Sequence, residues 1–176
     1  MINDPAPNQN HEYSLWFDKP YSCLLLIIPA LIFFWNVSYY WPQTIDDAFI
    51  TYRYSHNLIN GHGLSFNPGG EWVEGFTNPT WMLLHTIPLA FNFSPILFSK
   101  IMGSLCGFAT LLVLYLFVIT MRGKRDGVEI IPVILLASTS NFAFWCVQGL
   151  ETPLFVLLLL STCFVLLRSL EGRNSI

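Results

Sequence analysis

The chain has 176 residues, with 8 Lys+Arg against 11 Asp+Glu and a formal charge of −3. Charged residues are 11% and apolar residues 53%, with mean hydropathy +0.52, where soluble domains carry about 25% charged residues. This excludes a disordered chain, leaves no basic excess for nucleic-acid phosphates, and gives a soluble globule more apolar surface than it can hide, so the composition points to a bilayer protein.

Residues 1–21 are polar and lack a basic stretch ahead of a short apolar run, so they read as a cytoplasmic tail and not as a signal peptide. Residues 22–41 are the first expected transmembrane helix. Asn36 and two serines interrupt it, and Tyr39, Tyr40 and Trp41 close it as an aromatic belt. Residues 42–100 form an extracytoplasmic loop with juxtamembrane or re-entrant helices. Thr44 to Asp47 resembles a capping box, with Asp46 and Asp47 in the first turn of a helix. Phe49, Ile50, Tyr54, Leu58 and Ile59 give that helix an apolar side for an interface. Gly61-His62-Gly63 ends it, and Asn67-Pro68-Gly69-Gly70 is a turn. Pro79 to Phe93 is apolar but holds His85, Pro88 and Asn92, and its length suits an interfacial segment better than a crossing.

Residues 101–168 carry transmembrane helices 2–4: Ile101 to Met121, Val128 to Val147 (weakened by Pro132 and by Ser138 to Asn141), and Thr152 to Leu167. Residues 169–176 are a second cytoplasmic tail. If Pro79 to Phe93 does not cross, Lys19, Arg122, Lys124, Arg125, Arg168 and Arg173 share one face, leaving only Arg53 and Lys100 on the other. The expected fold is therefore an all-α polytopic membrane helix bundle of about four transmembrane helices, both termini cytoplasmic, with five spans as the alternative. Lys100 is read as an interfacial anchor. Cys23, Cys106, Cys146 and Cys163 lie in or beside apolar runs and read as small buried thiols. Neither they nor His56, His62 and His85 show metal-ligand spacing. Asn36-Val37-Ser38 is a glycosylation sequon, discounted because it lies within a span.

Two readings of Asp46 and Asp47 stand side by side. Helix capping is the simpler one by spacing. Alternatively, one carboxylate at the bilayer surface takes a proton from an acceptor hydroxyl, or both hold a divalent cation, the one cofactor these residues offer.

The run Asp46-Asp47-Ala48-Phe49-Ile50-Thr51-Tyr52-Arg53-Tyr54, then Asn57-Leu58, Gly61-His62-Gly63-Leu64, Phe66-Asn67-Pro68-Gly69 and Val73-Glu74-Gly75-Phe76-Thr77-Asn78-Pro79, resembles the first extracytoplasmic loop of bacterial GT-C glycosyltransferases, in particular the arabinofuranosyltransferase-like integral-membrane branch. Gln148-Gly149-Leu150-Glu151-Thr152-Pro153-Leu154 is similar to a second signature of that branch. The resemblance spans roughly Thr44 to Leu160. It implies a multi-pass enzyme of the bacterial cytoplasmic (inner) membrane. Such an enzyme moves a sugar from a polyprenyl-phosphate carrier to an extracytoplasmic glycan, lipid or protein acceptor. It implies Asp46 or Asp47 as general base. Arg53 then pairs with the phosphate, a salt bridge to Asp46 or Asp47 being the other reading. His62 contacts phosphate or sugar, or is an ordinary turn histidine; Glu74 orients acceptor hydroxyls, or is a solvated loop acid; and Glu151 is an acid at membrane depth, or is held by the dipole of the helix it starts. Trp72 and Trp81 stack on a sugar or anchor at the interface. Enzymes of this branch are longer, so the chain is expected to be an N-terminal portion, with a partner subunit or further sequence completing the site. The alternatives are a non-catalytic membrane protein (a truncated remnant or scaffold subunit) and, last, a lipid-carrier transporter.

Overall fold

The computed structural model describes residues 24–70, 73, 75 and 77–173. The expectations for the N-terminal tail, the start of the first span, Cys23, Trp72, Glu74 and the last three residues lie outside the described residues. Seven α-helices, and no strand, occur among the described residues: α1 (Ile27–Tyr40), α2 (Asp47–Ile59), α3 (Pro79–Ala90), α4 (Pro95–Arg122), α5 (Ile130–Ser138), α6 (Ser140–Val147) and α7 (Thr152–Arg173).

α4 and α7 are long and apolar enough to cross a membrane, and the bent pair α5–α6 adds a third crossing if it is counted as one span. α1 has 14 residues and rises about 21 Å, short of the roughly 30 Å hydrocarbon core. α3 has 12 residues and rises about 18 Å, which removes the basis for a fifth crossing there.

Two expected boundaries move. The second span starts at Pro95, inside the expected loop, because Ser94 Oγ accepts from Leu97 N at 3.3 Å and Pro95 takes the first helical position. It ends at Arg122, where Gly123 adopts φ 62°. The third span is not one helix. It bends by 64° between Ser138 and Ser140, where Thr139 has an extended ψ of 101°. Thr139 Oγ1 turns back to Leu135 O at 2.9 Å. The Asn36 amide of α1 donates to Ala137 O and Ile32 O, each at 3.2 Å. Asn36 thus satisfies a carbonyl released by the break, as a backbone group at membrane depth requires.

The core lies between α1, α4, α5 and α6. Phe33, Val37, Leu111, Tyr115, Val133, Ala137, Ala143 and Cys146 are all buried there. α4 meets α6 and the start of α7 through Gly103 and Gly107. A Cβ on Gly103 would run into the Cys146 carbonyl oxygen and stand 3.0 Å from its carbon. Small residues four apart permit this backbone approach. α7 packs along α4 but leaves most of its apolar surface exposed. Cys163 on it is exposed, unlike buried Cys106 and Cys146, which corrects the expectation of uniformly buried thiols.

Lys100 is not a surface anchor. It is buried, and its ammonium donates to Trp41 O and to Gln43 O (2.5 Å), closing the C-terminal end of α1. A cation at that end also suits the helix dipole. At the opposite end of α4, Arg122 grips Asp126 bidentately at 2.7 and 2.8 Å, and Lys124 reaches it at 3.1 Å. These bonds hold the Asp126 carboxyl well below its usual range. Buried Glu129 accepts from Gly127 N at 2.8 Å, so the basic turn has its own anions.

Candidate functional site

α2 begins with Asp46 Oδ1 accepting from Asp47 N at 3.1 Å. The cap is therefore Asp46 itself and not the Thr44-to-Asp47 box expected from the spacing. Asp46 and Asp47 are both exposed. α2 ends in a Schellman closure: His62 N donates to Asn57 O at 2.9 Å and Gly61 N to Leu58 O at 3.2 Å.

The loop after α2 folds back on it. Gly70 N bonds Asn67 O at 3.1 Å, with Gly69 at φ 77°, closing a Pro-Gly turn. Arg53 Nε donates to Phe66 O at 2.7 Å and Arg53 Nη2 to Asn67 Oδ1 at 3.0 Å, while the guanidinium lies 5.0 Å from the Phe66 ring centre. Asn57 Nδ2 shares Phe66 O at 3.0 Å. Arg53 therefore pairs with the turn and not with Asp46 or Asp47, so that salt bridge is not formed. Tyr54 OH donates to Val73 O at 2.5 Å and accepts from Gly75 N at 3.0 Å, drawing the later loop against α2.

Under α2 lies a fixed floor. Ser55 Oγ bonds Met82 O of α3 at 2.8 Å. Trp81 Nε1 donates to Gly149 O at 2.9 Å, and Ile45 N to Gln148 O at 3.4 Å. These bonds bring Gln148 to Glu151 beneath the start of α2. Gly149 sits at φ 94°, and a Cβ there would strike the Tyr52 hydroxyl and come within 2.7 Å of Ala48 Cβ, so glycine alone fits. Tyr52 OH donates to Ser99 Oγ at 2.6 Å, since Ser99 itself donates to Ile96 O. Burial lifts the Tyr52 phenol above its usual value, the Ser99 bond opposing.

His85 is fully buried against Tyr52, Trp81 and Phe98. Its Nδ1 lies 2.8 Å from Trp81 O, and a carbonyl only accepts, so Nδ1 carries the proton. Nε2 is buried with no hydrogen-bond partner among the described residues. Burial pushes the imidazole below its usual value, with the Trp81 carbonyl opposing. The unfolded chain then takes up a proton near pH 6.5 that the folded chain refuses. This contribution to stability is complete above that value and is lost as pH falls through it. Thermal unfolding in detergent is expected to shift down between pH 7.5 and 5 in the wild type, and less so in His85→Phe, which keeps a ring and loses the titration. Equal shifts in both would remove His85 as the cause.

The expected site residues divide between two clefts on either side of α2. One, of about 310 Å³, is lined by Asp47, Thr51, Thr77, Asn78, Leu150 and Glu151, among others. The second, of about 910 Å³, has Asp46, Arg53, His56, His62, Phe49 and Phe66 in its walls. Ile50 borders both. Asp46 and Asp47 line different clefts. Among the described residues no group of three or more His, Cys, Asp or Glu is placed to hold a metal ion.

Two residues gain roles that the sequence did not signal. Asn78 Nδ2 donates to Glu151 Oε2 at 2.6 Å, and Thr51 Oγ1 donates to Asn78 Oδ1 at 3.4 Å. The chain Thr51–Asn78–Glu151 thus ties α2, the loop before α3 and the loop before α7 into one wall. Thr51 and Asn78 both stand in the runs that carry the resemblance, but neither was given a role there. Comparison with known proteins finds no matching family model, no matching curated protein and no matching solved structure.

Proposed function

We propose that this chain is part of a GT-C type glycosyltransferase of the bacterial inner membrane, moving a sugar from a polyprenyl-phosphate donor to an acceptor hydroxyl outside the cytoplasm. Its crossings are then α1 with the apolar residues ahead of it, α4, the bent α5–α6 pair and α7. The observation that carries the reading is the division of two adjacent acids, Asp46 and Asp47, between clefts of opposite character.

The cleft with Arg53, His56 and His62 suits the donor phosphate: the guanidinium is already immobilised, and imidazoles add donors. The cleft with Asp47, Glu151 and Asn78 suits acceptor hydroxyls. Transfer takes place over the N-terminal edge of α2. The acceptor oxygen bonds to the sugar's anomeric carbon, and its proton passes to the Asp47 carboxylate. The carbon–oxygen bond to the donor phosphate breaks, and its electron pair leaves on the phosphate. Asp46 caps α2, and Glu151, oriented by Asn78, holds a second acceptor hydroxyl.

The test is transfer from a panel of polyprenyl-phosphate sugars by membranes containing the protein. Arg53→Lys is expected to raise the donor KM about tenfold with kcat little changed, because an ammonium cannot replace the planar fork. Asn67→Ala, which removes only one of the bonds holding Arg53, controls for loop disorder. Absence of transfer from every donor would favour the scaffold reading.

A further inference from the structure

The acidic cleft does not stop at the polar surface. Thr77, Asn78 and Glu151 also border a groove of about 420 Å³ that continues along α7 past Trp81, Leu154, Phe155 and Leu158. Leu158 stands two turns beyond Glu151, about 10 Å along the helix. Phe155 and Leu158 are 63% and 57% exposed, on a helix long and apolar enough to cross a membrane. The cleft and the groove adjoin along Thr77, Asn78 and Glu151, and their combined lining grades from carboxylates, hydroxyls and an amide to aromatic and aliphatic side chains.

We infer that cleft and groove together bind an uncharged, hydroxyl-bearing amphiphile, its head between Asp47, Asn78 and Glu151 and its tail along Leu154, Phe155 and Leu158. The head chemistry follows from charge. Among the described lining residues there are two carboxylates and no basic side chain. A phosphate or sulfate head would meet like charge. Arg53 and the two imidazoles that would welcome one border the other cleft. A cationic head would pair with both acids and is the competing occupant that the dodecylamine competition tests. Hydroxyls match the whole set, since they donate to carboxylates and both donate to and accept from hydroxyl and amide groups. Glu151 Oε2 already accepts from Asn78 at 2.6 Å, which fixes the carboxylate. Trp81 is locked by its bond to Gly149 O, so the wall is preformed. Identifying this ligand as the sugar acceptor rests on the glycosyltransferase reading, and it makes the acceptor a membrane-anchored polyol. The binding site itself does not rest on that reading.

The experiment places the full chain in phosphatidylcholine nanodiscs with a dodecyl maltoside carrying a tail diazirine. After irradiation, labelled residues are found by peptide mass spectrometry. Labelling at Leu154 to Leu158 is expected to exceed that at Val165 to Leu170 by about tenfold, or roughly 1.4 kcal/mol of preference. Excess unlabelled dodecyl maltoside removes it, whereas maltose, dodecyl phosphate and dodecylamine do not. Leu158→Trp, which fills the groove, abolishes it. The pair Asp47→Asn and Glu151→Gln, which keeps shape and removes charge, lets dodecyl phosphate compete. Even labelling along α7, or competition by dodecyl phosphate or dodecylamine as strong as by the maltoside, would overturn the inference. The readout needs no turnover. Specific labelling without sugar transfer overturns the enzyme and leaves the site. Transfer to a soluble acceptor with even labelling overturns the site and leaves the enzyme.

Discussion

Asp47→Asn is expected to abolish sugar transfer, and Asp46→Asn to leave most of it. The two residues are neighbours and equally acidic, so the difference comes from what each side chain does. Asp46 accepts from Asp47 N at the helix start, and asparagine caps a helix about as well as aspartate. Its replacement removes a charge from the cleft that holds Arg53 and keeps the fold of α2. Asp47 lines the cleft that holds Glu151 and Asn78. Its amide replacement keeps the shape and loses the proton acceptor, a change of about 10²–10⁴ in kcat where general-base catalysis operates. Initial rates with saturating donor, on protein shown to be inserted and folded, make the comparison. The opposite order would move the base to the Arg53 side of the ridge. Full activity in both single variants and in the double would end the carboxylate-base assignment.

Gly103→Ala is expected to be among the most damaging single-methyl changes in the chain, costing about 3 kcal/mol. The added carbon would overlap the carbonyl oxygen of Cys146 and press its carbon at 3.0 Å, and Pro153 stands behind at 3.4 Å. These backbone atoms have no rotamer to turn into, so α6 and the head of α7 must move away from α4. Gly107→Ala is the informative comparison. Its Cβ would meet Cys146 Sγ at 2.5 Å and the edge of Phe33 at 2.7 Å. Those are side-chain ends that can rotate, and the expected loss is about 1 kcal/mol. Unfolding by SDS titration in mixed micelles orders the three proteins. Because Glu151 follows directly on this contact, Gly103→Ala should also impair ligand binding in whatever fraction remains folded. Equal stability of the two variants would mean that α4 and α6 are not held backbone to backbone.

Much of this arrangement was legible along the chain because it depends on neighbours in sequence. The Gly61 helix stop, the Asn67–Gly70 turn, the short α3 and the weakness at Ser138 to Asn141 all follow from residues within a few positions of one another. The start of α4 was equally local, a Ser-Pro cap, but Lys100 looked like the end of a loop and drew the boundary six residues late. Its true surroundings, the carbonyls of Trp41 and Gln43, are 59 and 57 residues away. Distance in sequence also hid the rest. One of the two readings of Arg53 was a salt bridge to an acid nearly two turns back, yet its guanidinium follows the turn at Phe66 and Asn67. The split between Asp46 and Asp47 depends on how α2 rotates over the 148–151 segment, and no helical periodicity encodes that rotation. The bend of 64° could be expected as a weakness and not as an angle.

The Lys100 contact sets an order of events during biosynthesis. α1 is complete long before the residue that closes its end exists. The ribosome must add another 59 residues to pass from Trp41 to Lys100, which takes roughly 3–12 s at common elongation rates. For that interval the last carbonyls of α1 depend on water or on the insertion machinery. The entire segment that forms α2, α3 and both clefts must emerge before the two ends can be drawn together. Closure by Lys100 is thus a late step that joins the first helix to the fourth, with the clefts folded between them or waiting for it.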